Sequence, residues 1–146
     1  MNMLTITSPA FENNKLMPKK YAAGGENISP PLNIGGMPEG TKSLVLIVDD
    51  PDTPMKITWN HWVMWNIPPT SRIEEGSALG VQGRNTARRN SYDGPSPPFG
   101  THRYFFKVYA LDTNLDLDPN ASKKDVERAM ENHILAKGEL IGLYHK

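Results

Sequence analysis

The chain contains no cysteine among its 146 residues. That absence excludes disulfide bonds, thiolate chemistry and cysteine-ligated zinc. The sequence also lacks a run of about 20 consecutive apolar residues, the length that a membrane-spanning helix needs. Its first residues do not pair a basic segment with an apolar run, as a secretory signal would. We therefore expect a soluble, cytoplasmic protein with no integral membrane segment.

An excess of charge of either sign is also missing. Sixteen basic and sixteen acidic residues give a formal net charge of zero. The attraction to phosphate backbones that drives nucleic-acid binding thus has no obvious source. The most basic stretch, RNTARR at 84–89, is best interpreted as a solvent-facing loop. No nucleic-acid partner is expected.

What the sequence does contain is turn-forming residues. Thirteen prolines and twelve glycines accompany an apolar fraction of 38%. This composition is typical of a globular, loop-rich protein. The length suits a single domain covering residues 1–146.

Four segments have the pattern of β-strands. Leu4 and Ile6 alternate with polar residues, and three longer runs rich in β-branched and aromatic residues follow at 43–50, 61–67 and 102–111. In the last run alternation predicts two faces, one with Tyr104, Phe106 and Val108 and the other with Phe105, Lys107 and Tyr109. Pro- and Gly-rich connections between the runs favour a mainly β fold, a sandwich of antiparallel sheets.

One short helix is predicted near the end of the chain. Ser122 and Asp125 have the spacing of a capping box, and Gly138 suits a C-terminal stop. The apolar stripe of this helix would consist of Val126, Ala129, Met130, His133 and Ile134. Residues 139–144 could then return as a strand.

Polar side chains stand at the ends of the apolar strands. Asp49, Asp50 and Asp52 follow the second strand, His61 opens the third and His102 opens the fourth. If these strands are neighbours, two imidazoles and a carboxylate could converge.

Such a group could do three kinds of work. It could bind a metal, although no HxH or HxxxH pair brings two ligands together locally. It could support hydrolysis, although neither Ser91 nor Ser96 sits in a GxSxG elbow. It could bind an anion, with protonated histidines and loop N–H groups as donors, and with Asp50 and Asp52 orienting the imidazoles and raising their pKa. The residues alone leave the three open.

Four segments carry a resemblance to a known family. They are NISPPL at 27–32, PEGTKSLVLIVDDPDTP at 38–54, WNHWVMWNIP at 59–68 and YDGPSPPFGTHRYFFKVYALD at 92–112. In this order they resemble the phosphatidylethanolamine-binding protein family, also called Raf kinase inhibitor-like proteins. In its short length the chain resembles members of the bacterial and archaeal branch of this family.

The resemblance implies a β-sandwich with a small anion pocket near one end. By motif, three segments would supply its ligand-binding residues, which are Asp50, Asp52, Pro54, Trp59, His61, Gly94, Pro97, His102 and Tyr104. Arg103, next to His102 in a strand, is expected to point away and form an ion pair or a surface contact.

The expected function is binding without catalysis. The ligand would be a small anion such as phosphate, a phosphoethanolamine-like group or a carboxylate, with no metal or cofactor. The resemblance further implies a regulatory or inhibitory effect on a protein kinase or serine protease, and makes a homodimer plausible. Two alternatives remain, a serine protease inhibitor acting through an exposed loop and a small hydrolase.

Overall fold

The structure, a computed structural model, describes residues 2–146 of the chain. In that range the chain forms ten strands, a short 3₁₀ turn at Lys19–Tyr21 and one α-helix, α1 (Lys123–Met130). The strands are β1 (Asn2–Met3), β2 (Thr5–Thr7), β3 (Lys15–Leu16), β4 (Leu32–Gly35), β5 (Ser43–Asp50), β6 (Trp59–Ile67), β7 (Arg72–Ile73), β8 (Val81–Gln82), β9 (Thr101–Leu111) and β10 (Ile134–His145).

The strands form two sheets. The larger sheet has seven strands in the order β1-β10-β9-β5-β6-β8, with β3 also paired to β10, and the smaller one has the order β2-β4-β7. The four long strands of the larger sheet pair antiparallel, as do the strands of the smaller sheet. The predicted mainly β fold of antiparallel sheets is confirmed. Only the short edge strands β1 and β3 depart from it, since both pair with β10 in parallel.

Strand β5 is the centre of the molecule and is buried along its whole length. On one face Leu46 belongs to an apolar cluster with Ile6 and Ile34 of the smaller sheet. On the other face Ile47 belongs to a second cluster with Val126 of α1. A strand covered on both faces needs apolar residues at every position, which explains its unbroken apolar run.

Strand β9 shows the predicted alternation. Tyr104, Phe106 and Val108 are buried, whereas Phe105, Lys107 and Tyr109 between them are partly exposed. The buried set enters the cluster beneath the smaller sheet. Alternation along β9 therefore fixes which side chains reach the core and which reach the opposite face.

The helix begins as predicted but ends earlier. The Ser122 amide donates to Asp125 Oδ2 at 2.9 Å, as a capping box requires. The helix stops at Met130, and Asn132 follows in the left-handed conformation with φ +68°. His133 and Ile134 thus lie outside the helix, and Gly138 lies inside β10. The predicted stop at Gly138 was wrong because pairing with β9 extends β10 back to Ile134.

The sheet order places three strand ends side by side. Asp50 at the end of β5 lies opposite Trp59 at the start of β6, and Asp49 lies opposite Phe105 near the start of β9. Antiparallel pairing always sets the end of one strand beside the beginning of its neighbours. Among the described residues, none of the helical segments has the length and apolarity that crossing a membrane requires.

Candidate functional site

A cavity of about 460 Å³ lies where the end of β5 meets the beginnings of β6 and β9. Small-molecule sites in proteins have volumes of roughly 300–1,000 Å³. Eight of the nine residues predicted from sequence line it, namely Asp50, Pro54, Trp59, His61, Gly94, Pro97, His102 and Tyr104. The ninth, Asp52, does not. The remaining lining residues are Ala23, Asn27, Thr53, Met55, Ala87, Arg89, Asp93, Ser96 and Pro98.

Three aromatic rings form the polar floor of the cavity. The ring centroids of His61 and Tyr104 are 5.2 Å apart in an edge-to-face arrangement. The centroids of His102 and Tyr104 are 6.4 Å apart with nearly parallel planes. Both histidines are buried, with 7% and 5% of their surfaces exposed. The floor is therefore a fixed group of three rings and not a set of mobile side chains.

His102 is oriented by Asp50. Its Nδ1 lies 2.7 Å from Asp50 Oδ2, and both side chains are buried. An ionised carboxylate only accepts hydrogen bonds, so His102 Nδ1 carries the hydrogen. The other carboxylate oxygen of Asp50 accepts the Asp52 amide at 2.7 Å. Asp50 therefore holds the ring in one orientation and leaves its Nε2 toward the cavity.

His61 has a different partner. Its Nδ1 donates to the backbone carbonyl of Asp93 at 2.7 Å. Burial lowers the pKa of His61 below its ordinary value of 6.5, although the Asp93 carbonyl and the Asp50 carboxylate act in the opposite direction. The nearby aspartates act to raise the pKa of His61, as predicted, but desolvation outweighs them. The expected net rise is therefore wrong for His61.

Asp52 turns away from the rings. Its Oδ2 accepts the backbone amide and Nε of Arg103, both at 2.9 Å, and its Oδ1 accepts Nη2 at 2.8 Å. The Arg103 guanidinium lowers the pKa of this carboxyl. The expected ion pair of Arg103 is confirmed, whereas the expectation that Asp52 orients an imidazole is wrong. Asp52 instead ties the turn after β5 to the start of β9.

Gly94 packs tightly but offers no free donor. Its amide donates to Asn27 Oδ1 at 2.7 Å. A Cβ at this position would lie 2.2 Å from the Tyr21 carbonyl oxygen, so only glycine fits there. Since prolines have no N–H, the segment from Gly94 to Pro98 retains only the Ser96 amide as a backbone donor for a ligand.

Tyr104 supplies a neutral hydroxyl to the floor. Burial raises the pKa of Tyr104, and the neighbouring Asp50 carboxylate raises it further, while the Ser96 amide acts against this rise. The phenol is thus protonated at neutral pH and is able to donate a hydrogen bond. The Ser96 amide and the Tyr104 hydroxyl lie on the same side of the cavity.

Two charged lining residues were not predicted. Arg89 belongs to the stretch predicted as a solvent-facing loop, but it lines the cavity and its Nε lies 3.1 Å from Asp93 Oδ2. Asn85 donates to the same oxygen at 2.7 Å. Asp93 lies within residues 92–112, one of the segments that carry the family resemblance, so the sequence could have identified it as a candidate for the site. The contribution of Arg89 depends on how its loop folds back, which no local pattern indicates.

Two observations bear on metal binding and nucleophilic chemistry at the cavity. Within residues 2–146, His, Asp and Glu side chains form no cluster of three that could hold a metal ion. Ser96 lines the cavity, yet the protein partners of the two Nδ1 atoms are a carbonyl and a carboxylate, and neither ring is bonded to a serine hydroxyl in that range. The arrangement orients two imidazoles toward an open space.

Comparisons with known proteins agree with this fold and these motifs. The family model for phosphatidylethanolamine-binding proteins matches residues 7–145. UPF0098 protein PH1269 of Pyrococcus horikoshii is 50% identical over 150 residues, which is 95% of this chain and 75% of the relative. A UPF0098 protein of Methanothermobacter thermautotrophicus is 49% identical over 154 residues, which is 98% of this chain and 99% of the relative.

Two solved structures share the whole architecture. A crystal structure described as a phosphatidylethanolamine-binding protein homologue, CT736 from Chlamydia trachomatis, has a TM-score of 0.95 and 43% identity, covering 100% of this chain and 99% of its own. YbcL of E. coli, described as a member of the mammalian PEBP family, has a TM-score of 0.90 and 31% identity, covering 98% of each chain. The chain therefore belongs to the phosphatidylethanolamine-binding protein family.

Proposed function

We propose that the cavity binds a small oxyanion, either phosphate itself or the phosphate group of a larger molecule, without transforming it. One observation carries the proposal. The Nδ1 atoms of His61 and His102 are both held by protein acceptors, so both rings are fixed with Nε2 free of protein partners in the described chain. The Tyr104 ring contacts both of them, with centroid distances of 5.2 Å to His61 and 6.4 Å to His102.

The donors around this floor suit an oxyanion. The Tyr104 hydroxyl and the Ser96 amide would each donate to a ligand oxygen, and Asp50 sets the His102 ring so that its Nε2 is available to the same ligand. Arg89 also lines the cavity, where its charge is paired with that of Asp93. Prolines 95, 97 and 98 stiffen the wall, so little entropy would be lost when a ligand binds. The family to which the chain belongs is named for a phospholipid, phosphatidylethanolamine, and this name supports the same ligand class.

Binding without turnover is the reaction class that these residues favour. The chain has no cysteine, and neither imidazole is bonded to a serine hydroxyl. The Asp50–His102 pair does resemble two members of a hydrolytic triad, and for that reason a small hydrolase is the second candidate. Steady hydrolysis of phosphate or carboxylate esters, lost in His102→Ala, would favour this second candidate over simple binding.

A regulatory role would use the rim of the cavity. Met55 lines the cavity and is 58% exposed, and Phe99, which follows the lining residue Pro98, is 65% exposed. A partner such as a kinase or a serine protease could contact this rim, and ligand in the cavity would then alter the contact surface. Inhibition of a protease that survives His102→Ala but is lost on Phe99→Ala would assign inhibition to the loop instead.

The test of binding compares two histidines. His102→Ala removes the ring that Asp50 holds in the cavity, whereas His133→Ala removes a half-exposed ring that pairs with Asp112 far from it. In calorimetric titrations with phosphate and phosphoethanolamine, we expect His102→Ala to weaken binding by roughly tenfold or more, the effect of losing a charged hydrogen bond. The His133→Ala variant should bind like the parent. Equal affinity in both variants would contradict the proposal.

A further inference from the structure

Two carboxylates and one arginine line the cavity. The carboxylates belong to Asp50 and Asp93, and Arg89 is the only lysine or arginine among the described lining residues. Burial lowers the pKa of His61, so this ring adds little positive charge near neutral pH. A proton on His102 would be balanced by Asp50, whose Oδ2 lies 2.7 Å from Nδ1. Arg89 is therefore the lining residue that is positively charged at neutral pH whatever the state of the histidines.

The protein uses only one edge of the Arg89 guanidinium. Its Nε lies 3.2 Å from Oδ1 and 3.1 Å from Oδ2 of Asp93. An arginine has five N–H donors in a planar fork, and four of them are on the two Nη atoms. Neither Nη atom forms a hydrogen bond with another residue in the described chain. Because the side chain is 62% exposed, these four donors are accessible to a ligand.

A buried asparagine holds both members of this ion pair. Asn85 Nδ2 donates to Asp93 Oδ2 at 2.7 Å and lies 3.2 Å from the His61 carbonyl oxygen. Asn85 Oδ1 accepts the backbone amide of Arg89 at 3.0 Å, and the Asn85 amide donates to the Arg89 carbonyl at 3.0 Å. The backbone of Arg89 is thus tied to the strand that carries His61. Its place beside the cavity is set before any ligand binds, which lowers the entropy cost of binding.

A phosphate group presents the acceptors that a guanidinium fork matches. Two unesterified oxygens can accept two parallel N–H donors, and inorganic phosphate, a monoester and a diester all have two such oxygens. The Nη donors of Arg89 would serve the ligand while Nε stays on Asp93. No carboxylate would lose its partner, and Asn85 would remain on Asp93 as well.

We propose that Arg89 is a ligand-binding residue of the cavity, and that its two Nη atoms donate to two oxygens of a bound phosphate group while its Nε stays on Asp93. This role rests on the oxyanion function proposed above and adds the residue that recognises the charge of the ligand. The basic stretch at 84–89 thereby contributes to the site and is more than a solvent-facing loop.

Two neighbouring arginines provide a matched pair of variants. Arg89→Met removes the charge and all five donors with little change in length. Arg88→Met does the same one residue away, at an exposed side chain that does not line the cavity. Parent and variants would be titrated with inorganic phosphate and with glycerophosphoethanolamine, a phosphodiester, while NMR follows the backbone amides that line the cavity. The probe that binds the parent more tightly tells whether the natural phosphate group is free or belongs to a lipid head group.

We expect Arg89→Met to bind either probe roughly tenfold more weakly than the parent, as loss of a charged hydrogen-bonding partner implies. Arg88→Met should stay within about twofold of the parent, because solvent and salt screen a charge that makes no contact. Equal affinities of the two variants would overturn the role of Arg89. If they are equal and His102→Ala alone weakens binding, oxyanion binding stands without Arg89. If neither probe shifts the cavity amides of the parent, the proposed function fails together with this role.

The side-chain resonances of Arg89 report the same contact in the unaltered chain. Hydrogens on a free guanidinium exchange rapidly with water, and a bound phosphate would protect them. Saturating phosphate should therefore shift the Nη resonances of Arg89 and slow their exchange, while those of Arg88 stay unchanged. Unaltered Arg89 resonances at saturation would overturn the proposal, even if Arg89→Met did not fold.

Discussion

The two histidines of the cavity differ in what holds their Nδ1 atoms. A carboxylate holds His102, so a positive charge on that ring is compensated by Asp50. A neutral carbonyl holds His61, and burial there favours the uncharged ring. Two residues of one type therefore supply different groups, a potential cation and an acceptor.

Gly94 is the residue whose replacement the packing tolerates least in the cavity wall. A Cβ would overlap the Tyr21 carbonyl oxygen at 2.2 Å, a backbone atom that cannot easily move. We expect Gly94→Ala to lower the free energy of unfolding by about 1–3 kcal/mol, measured by urea denaturation. Gly24→Ala, where no atom lies within 4 Å of the added Cβ, is the matched control and should change it by less than about 0.5 kcal/mol. Equal effects at both positions would show that the close contact does not matter.

Single residues also show which parts of the site could be predicted from the sequence and which could not. The family motifs were sufficient to predict eight of the lining residues. Asp50, Trp59 and His102 stand at or next to strand ends, whereas Pro54, Gly94 and Pro97 lie in loops. The direction of Asp52 was not predictable, since it lies in an irregular turn with no alternation to assign a face. Arg89 reaches the cavity only through the folding of its loop, a long-range property that the residues around it do not encode.

At the scale of elements, the end of α1 was placed incorrectly because two signals competed. The apolar spacing of residues 126–134 continues the helical pattern, while β-branched and apolar residues from Ile134 onward pair with β9. Tertiary pairing along β10, a strand of twelve residues, prevails over a weak helical preference. The local signal for the true end was Asn132, one of the few residue types that accept a left-handed backbone.

The position of Asn132 predicts how this boundary responds to substitution. Asn132→Ala should lower the free energy of unfolding by about 1 kcal/mol, because alanine tolerates φ +68° poorly, whereas Asn132→Gly should leave it equal or higher. Glu131→Ala, at an exposed neighbour with φ −53°, provides the control and should change it by less than about 0.5 kcal/mol. Thermal or urea unfolding would measure all three. If Asn132→Ala were as stable as the parent, the left-handed conformation of residue 132 would not determine where the helix ends.

At the scale of the whole molecule, the cavity is a consequence of the sheet order. Strand β5 is covered on both faces and ends at Asp50, and its two antiparallel neighbours begin beside that end. Polar residues placed at those three termini must converge, whatever ligand they bind. The sequence predicted this convergence only on the condition that the strands were neighbours, because pairing order is set by the whole fold and not by any one segment.

Stability should also depend on pH through the buried His61. Its pKa is lower in the folded state than the ordinary value of 6.5, so below that pH the unfolded chain takes up a proton more readily. The contribution of neutral His61 to the free energy of unfolding is fully present above pH 6.5. It is lost as the pH falls, by at most about 1.4 kcal/mol per pH unit for one group. Urea unfolding between about pH 7.5 and about pH 5.5 should show a smaller decline in His61→Gln than in the parent or in His133→Gln. Identical declines in all three would contradict this account.

The most direct test of the central claim is a crystal structure of the chain grown or soaked in phosphate. The account predicts a phosphate ion in the cavity with its oxygens within hydrogen-bonding distance of Nε2 of His61, Nε2 of His102 and the Tyr104 hydroxyl. A cavity that holds only water at saturating phosphate, or an ion bound elsewhere while these three groups stay unoccupied, would contradict it.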